Sequence, residues 1–154
     1  VSGWPAGRAQ VLAFLDSGRL ERIAADPGTA VTWLDRAERH LASVLAIPPN
    51  DPDGAFVLLY DAARMSIVAL LEAQGLRASR RGGHYVLEET IAAQFSAPPH
   101  GPALRPYGRL RRRRNAIEYD AAAVTLDEVR TEHAKVVALH QAARALLPTL
   151  DPFD

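Results

Sequence analysis

Apolar positions recur at spacings of three and four along most of the chain, the periodicity of helices that each bury one face. Val11, Leu12 and Leu15 predict a short first helix over 8–16, broken at Ser17-Gly18. Leu20 and Ile23 predict one more turn before Asp26-Pro27-Gly28 stops it. Thr29 is then the expected cap of a second helix of about sixteen residues. Trp33, Leu34, Ala37, Leu41, Val44 and Leu45 line one of its faces, with Asp35, Arg36, Glu38 and Arg39 opposite. The breakers between Pro48 and Gly54 make a loop, and Asp53 is the expected cap of a third helix over 55–74. That helix is apolar around most of its circumference, which predicts the centre of a bundle. Gly75 is expected to end it in a left-handed conformation.

Leu76 to Gly83 reads as a basic, glycine-containing connection. Leu87, Ile91 and Phe95, four residues apart, predict a fourth helix over 84–95. Four prolines between Ser96 and Pro106 predict a mobile loop. A fifth helix is expected over 107–119 and a short connection over 120–124. Thr125-Leu126-Asp127-Glu128 is a capping box. It opens a long last helix to about Leu147, with Leu126, Val129, His133, Val136, Val137, His140 and Ala143 facing inward and Pro148 as its end. Val1 to Pro5 reads as a frayed lead-in. No segment alternates with period two, and no internal repeat is present. The expectation is a single all-α domain, an antiparallel up-and-down bundle of four long helices plus shorter ones.

Composition adds limits. The 154 residues suit one domain, and 48% apolar content is enough for a core. With no cysteine, disulfides, thiolate metal sites and a cysteine nucleophile are excluded. No apolar run approaches a membrane helix and no signal peptide opens the chain, so a soluble cytoplasmic protein is expected. Net charge is zero but unevenly spread. Between Arg77 and Arg114 lie nine arginines and two glutamates, Glu88 and Glu89, a surplus of seven positive charges that predicts a basic surface. Arginine is the basic residue almost throughout, a bias that a GC-rich genome also produces, so only position is informative.

The densest stretch is Arg109-Leu110-Arg111-Arg112-Arg113-Arg114-Asn115-Ala116-Ile117-Glu118-Tyr119. On a wheel of about 100° per residue, Leu110 and Ile117 mark the core-facing stripe, and Arg114 falls inside it, about 40° from Leu110. Glu118, Arg111, Asn115 and Tyr119 then sweep to the opposite side. Arg112 reads as a solvated residue and Arg113 as marginal. A charge inside an apolar stripe needs a partner, and Glu118, four residues on, is in reach of Arg114. That pair reads equally as a structural contact or as part of a site. Tyr119 alone reads as a half-buried residue with a wet hydroxyl.

Other residues are weaker candidates. His133 and His140 are seven residues apart, outside the usual spacing of a shared metal, and read as core-edge histidines. His40 and His100 read as surface residues. His84 follows Arg80-Arg81-Gly82-Gly83, where free backbone N–H groups can hold an anion, so Arg81 and His84 extend a basic site or simply open a helix. Asp61 and Arg64, on the most apolar helix, either brace Arg114 and Glu118 or pair with each other. No nucleophile elbow, dinucleotide fingerprint or P-loop is present, and no cofactor or metal is expected. A helix-turn-helix reading of the arginine helix is disfavoured, because Arg114 would be buried and 96–106 is too long for the turn.

Arg114-Asn115-Ala116-Ile117-Glu118-Tyr119 resembles the signature of the HEPN superfamily (higher eukaryotes and prokaryotes nucleotide-binding), an arginine and a polar residue followed by a histidine after four to six positions. The histidine position falls here on Tyr119. Tyr60-Asp61-Ala62-Ala63-Arg64, Leu71-Glu72-Ala73-Gln74-Gly75-Leu76-Arg77 and Arg81-Gly82-Gly83-His84-Tyr85 are also similar to a bacterial HEPN subfamily, and the likeness covers roughly Ala30 to Leu147. The resemblance implies a helical bundle, often a homodimer with motif helices facing each other. It also implies metal-independent ribonuclease activity in many members, including toxins partnered by a small nucleotidyltransferase antitoxin. Carried over, Arg114 would stabilise developing phosphorane charge and Asn115 would orient it, with Arg111, Glu118, Asp61, Arg64, Arg81 and His84 around the substrate. A phenol titrating near pH 10 does not replace an imidazole base. The expected function is therefore an RNA-, nucleotide- or partner-binding module of a toxin–antitoxin or defence-type system. An active endoribonuclease and a purely dimerising interaction protein are the alternatives.

Overall fold

The computed structural model describes residues 4–154, so Val1 to Gly3 of the expected lead-in lie outside the described residues. Trp4 is not frayed: its indole N–H donates to the Gln94 carbonyl at 2.6 Å and its ring lies 5.0 Å from that of Phe95. The elements are α1 (Arg8–Asp16), β1 (Leu20–Arg22), α2 (Pro27–Ala46), α3 (Pro52–Ala73), β2 (Leu76–Ala78), α4 (Gly83–Gln94), α5 (His100–Leu104), α6 (Pro106–Tyr119) and α7 (Leu126–Leu146), followed by a 3-10 turn at Leu147–Thr149. The all-α bundle expected from the pattern is what forms.

Two helix starts correct the expected caps. The Asp26 carboxylate accepts from the Thr29 amide at 2.9 Å and its hydroxyl at 2.8 Å, and α2 begins at Pro27. Asp51 likewise accepts from the Gly54 amide at 3.0 Å, and α3 begins at Pro52. Thr29 and Asp53 are therefore not the caps. Each Asp-Pro pair starts a helix, because proline lacks only an N–H that the first turn leaves unused, and its fixed φ suits that position. The last helix starts as expected, with the Thr125 hydroxyl accepting from the Glu128 amide at 3.1 Å.

α3 is the core element. Phe56, Leu59, Tyr60, Ile67, Leu70 and Leu71 are all buried, and Ala62, Ala63, Ser66 and Ala69 let neighbouring helices approach closely. By length (22 residues) and mean hydropathy (1.6) this helix is able to cross a membrane; within the fold 67% of that apolar window is buried, which accounts for its composition. α7 runs antiparallel to α2, since His140 Nε2 donates to the Leu34 carbonyl at 2.9 Å and His133 Nε2 to the Leu41 carbonyl at 3.1 Å. These two histidines tie helices together at the core edge, as expected. Leu45 departs from the expected apolar face of α2 and is 74% exposed.

The segment around Leu20 is a strand and not a helical turn. β1 pairs antiparallel with β2, Leu20 opposite Ala78 and Arg22 opposite Leu76. Three-residue strands are too short to write an alternating pattern. Gly75, at φ 75°, turns the chain from α3 into β2, and its carbonyl accepts from Ile23 N at 2.9 Å. The proline-rich stretch is not an open loop either. It holds α5, with Gly101 and Leu104 buried, and Pro106 opens α6.

A Cβ at Gly75 would lie 2.7 Å from the Ile23 carbonyl oxygen on a backbone that side chains avoid. Gly75→Ala is expected to lower unfolding free energy by about 1–3 kcal/mol, read from urea denaturation midpoints at unchanged slope.

Candidate functional site

The arginine run of α6 is matched, residue by residue, with carboxylates. Arg109 forms a two-pronged pair with Glu132 of α7, whose side chain is 7% exposed. Arg113 forms another with Glu128 of α7, at 2.7 and 2.9 Å. Arg111 and Arg112 share Glu88 of α4, each at 3.0 Å. Arg114 pairs with Glu118 at 2.6 Å, the i, i+4 contact expected. Pairing with Glu128 raises the pKa of Arg113 and lowers that of Glu128. The Glu88 carboxylate lies against Gly108, where a Cβ would displace it, so a glycine one turn before Arg111 and Arg112 lets α4 approach. The expected basic patch is thus largely neutralised. Arg112 is the exposed member, as expected, yet it still holds Glu88.

With the run paired off, Arg114 settles above the Tyr60 ring, 5.7 Å from guanidinium carbon to ring centroid, and its Nη1 donates to Asn115 Oδ1 at 3.4 Å. Arg111 lies over Tyr85 in the same way, at 4.9 Å. The pairing of Arg114 with the aromatic face explains how a charge fits in the apolar stripe. Phe56, Val57, Tyr60, Asp61, Ile117 and Glu118 surround Arg114 in a pocket of about 270 Å³.

Beneath Arg114 is a closed set of polar contacts. Tyr60 Oη is 2.8 Å from His84 Nδ1 and 3.1 Å from Tyr107 Oη, and Tyr107 Oη is 3.3 Å from the His84 carbonyl oxygen. Three contacts need three donors. One arrangement supplies them without sharing a proton: His84 Nδ1–H donates to Tyr60, Tyr60 to Tyr107, and Tyr107 to the carbonyl. This assignment leaves His84 Nε2 as a lone-pair acceptor. Burial raises the pKa of both phenols, most strongly that of Tyr107. His84 is exposed as a residue, but partial burial, together with Arg64 and Arg114, lowers its pKa below the ordinary 6.5, while Asp61 acts the other way. The imidazole is therefore neutral at pH 7.

The residues singled out from the sequence divide. Arg114, Glu118 and Asp61 share a pocket with Tyr60, His84 bonds its hydroxyl, Arg64 and Arg111 act on it electrostatically, and Asn115 is tied to it through Arg114. Asp61 and Arg64 meet each other along α3, at 3.7 Å. Tyr119 does not join them: it is 73% exposed at the end of α6. Arg81 turns away, its Nη1 donating to the Ser17 carbonyl at 3.0 Å. Sequence reasoning passed over Tyr60 and Tyr107 as site residues, because each sits at a position that reads as core. It also missed Glu128 and Glu132 as partners, although their spacing of four on α7 matches that of Arg109 and Arg113. A comparison with protein-family models, curated proteins and solved structures finds no match to this chain.

Arg109→Ala strands Glu132, leaving only Lys135 Nζ, at 3.9 Å, among the described residues. It is expected to cost about 2–3 kcal/mol, against less than about 0.5 kcal/mol for Arg112→Ala, both by urea denaturation. For His84, a pKa lowered on folding means that its contribution is present above the unfolded value near 6.5 and is lost as pH falls through the folded value. Wild type is expected to lose more stability than His84→Gln as pH falls from about 6.5 towards 5; parallel curves for the two proteins contradict this.

Proposed function

We propose that this chain is a HEPN-type helical module that binds RNA or nucleotide phosphate at the α6 face, with Arg114 as the anchor. The observation that carries the reading is the convergence on Tyr60. Arg114 packs on its ring, Asn115 bonds Arg114, and His84 bonds its hydroxyl. The resemblance of Arg114 to Tyr119 to the HEPN signature supports it, as does the position of that stretch on the penultimate long helix of a bundle. Arg114 and Arg111 each hold a carboxylate in hydrogen-bonding geometry, and a phosphate presents the same oxygen geometry to a guanidinium. Phosphate entry then exchanges one anion for another, with no buried cation to desolvate. Tyr119, exposed and a phenol, supplies no base, so binding without turnover is the first expectation. The proposal extends to a cytoplasmic toxin–antitoxin or defence-type role. Exposed Val57 and Tyr119 offer apolar surface to a second copy or to a nucleotidyltransferase partner.

A second reading has its own observation. His84, from α4, brings a neutral imidazole with an open Nε2 within one hydroxyl of Arg114's aromatic support. In a metal-independent ribonuclease, that nitrogen would accept the proton of an attacking 2′-hydroxyl while Arg114 stabilises the phosphorane.

Fluorescence anisotropy with a structured RNA tests the first reading. Arg111→Ala and Arg114→Ala are each expected to weaken binding and to lower the slope of log affinity against log salt by roughly one. RNA affinity unaltered by Arg114→Ala would sink it. Gel analysis of the same mixtures separates the readings: intact RNA fits the module, whereas cleavage lost in His84→Gln and kept in Tyr119→Phe establishes the enzyme. If these variants change only the mass in size-exclusion chromatography, the face is a protein interface.

A further inference from the structure

On the other side of His84 lies a second cleft, of about 360 Å³, between α2, α3, β2 and the start of α4. Its volume falls in the range of small-molecule sites and is too large for a packing defect. Trp33, Val68, Leu76 and Leu87 give it an apolar lining, while Arg64 and Arg80 bring cations to it. Arg64 and Glu72, both in the lining, are eight residues apart on α3, so the cleft runs for about 12 Å along that helix.

The arginines here are treated differently from those of α6. There each guanidinium has a carboxylate in hydrogen-bonding contact. Among the described residues Arg64 has only Asp61 as a carboxylate partner, at 3.7 Å, beyond a hydrogen bond. Arg80 has no carboxylate within ion-pair distance among the described residues and is exposed. Donors left spare beside an apolar, aromatic-walled cleft call for an anion with an apolar body. Arg36 already covers one approach to Trp33, 5.0 Å from its ring centroid, and thereby holds the indole in place.

We propose that this cleft binds a small organic monoanion, a flat aromatic body against Trp33 and Leu87 with its carboxylate on Arg64 and Arg80. The site shares Arg64 and His84 with the surroundings of Tyr60 but uses none of Arg111, Arg114 or Asn115, so Arg80→Met and Trp33→Leu report on it independently of phosphate binding at α6. His84 makes the direct link, because it lines the cleft and bonds Tyr60.

Isothermal titration of the full chain with 2-naphthoate, and with 2-naphthylmethanol as the neutral analogue, is the test. Saturable 1:1 binding of naphthoate is expected, about a hundredfold tighter than the alcohol, the worth of two charge-assisted hydrogen bonds, one from each arginine. Arg64→Met and Arg80→Met should each bring naphthoate about tenfold towards the alcohol, and Trp33→Leu should weaken both probes. Arg112→Met, on the far face of α6, should change neither. Circular dichroism checks the fold, and exposed Arg80 gives a variant that does not depend on core packing. The proposal is overturned by no saturable binding at millimolar naphthoate, by equal binding of acid and alcohol, or by unaltered naphthoate affinity in a folded Arg80→Met or Arg64→Met protein.

Discussion

The structure around the site depends on the matching of the α6 arginines with carboxylates from two other helices. Five guanidiniums within six residues repel one another unless each finds a counter-charge. Glu88 of α4 takes two, Glu128 and Glu132 of α7 take one each, and Glu118 takes Arg114. Because the partners come from different sides, α6 has one rotation and one register that satisfy them all. Apart from Arg109–Glu132, whose carboxylate is buried, these partly exposed pairs add little stability individually. Together they fix orientation, and the two pairs to α7 also set α6 antiparallel to it, Arg109 opposite Glu132 and Arg113 opposite Glu128. That rotation is what places Arg114 on the face of Tyr60.

The same matching shapes what the surface can do. A run that reads as a polycation presents, in the fold, arginines already holding oxygen anions. A phosphate ligand must therefore compete with carboxylates, which favours a few defined contacts over diffuse electrostatic capture. Beneath Arg114, three hydrogen bonds among Tyr60, Tyr107 and His84, the one between the tyrosines buried, hold the imidazole in one tautomer. Such a network specifies geometry because every member is satisfied. His84 lines the cleft beside Trp33 and bonds Tyr60, which lines the pocket holding Arg114, so the two cavities are linked through one hydrogen bond.

Much of the fold was legible in the chain. The heavily apolar 55–74 region reads as a central helix and becomes α3, and Thr125 caps α7 where expected, although the Glu128 carboxylate pairs with Arg113 and does not close the expected capping box. Asp26-Pro27 and Asp51-Pro52 were ambiguous, since the same dipeptide ends one element and opens another; only the direction of the aspartate hydrogen bond tells which. The 96–106 segment reads as loop because prolines disfavour helix interiors, yet α5 is short enough that Pro102 falls in its first turn, where no N–H is needed.

For the site, local pattern determined that Arg114 and Glu118 meet, because residues four apart on a helix share a face wherever the helix is placed. It also marked Arg114 as a charge within an apolar stripe. What covers that charge was decided only by tertiary structure, because Tyr60 is 54 positions away and reads as ordinary core. The motif's spacing drew attention to Tyr119, but spacing along one helix does not say which side of its last turn faces a neighbour: Ile117 packs inward while Tyr119 projects into solvent. His84, 30 positions before Arg114, took the place beside Tyr60 instead. The sequence by itself determined helices, their buried faces and the contacts within one turn. Packing between helices decided which charges are neutralised and which imidazole meets Tyr60, since those depend on distances between residues that no local period encodes.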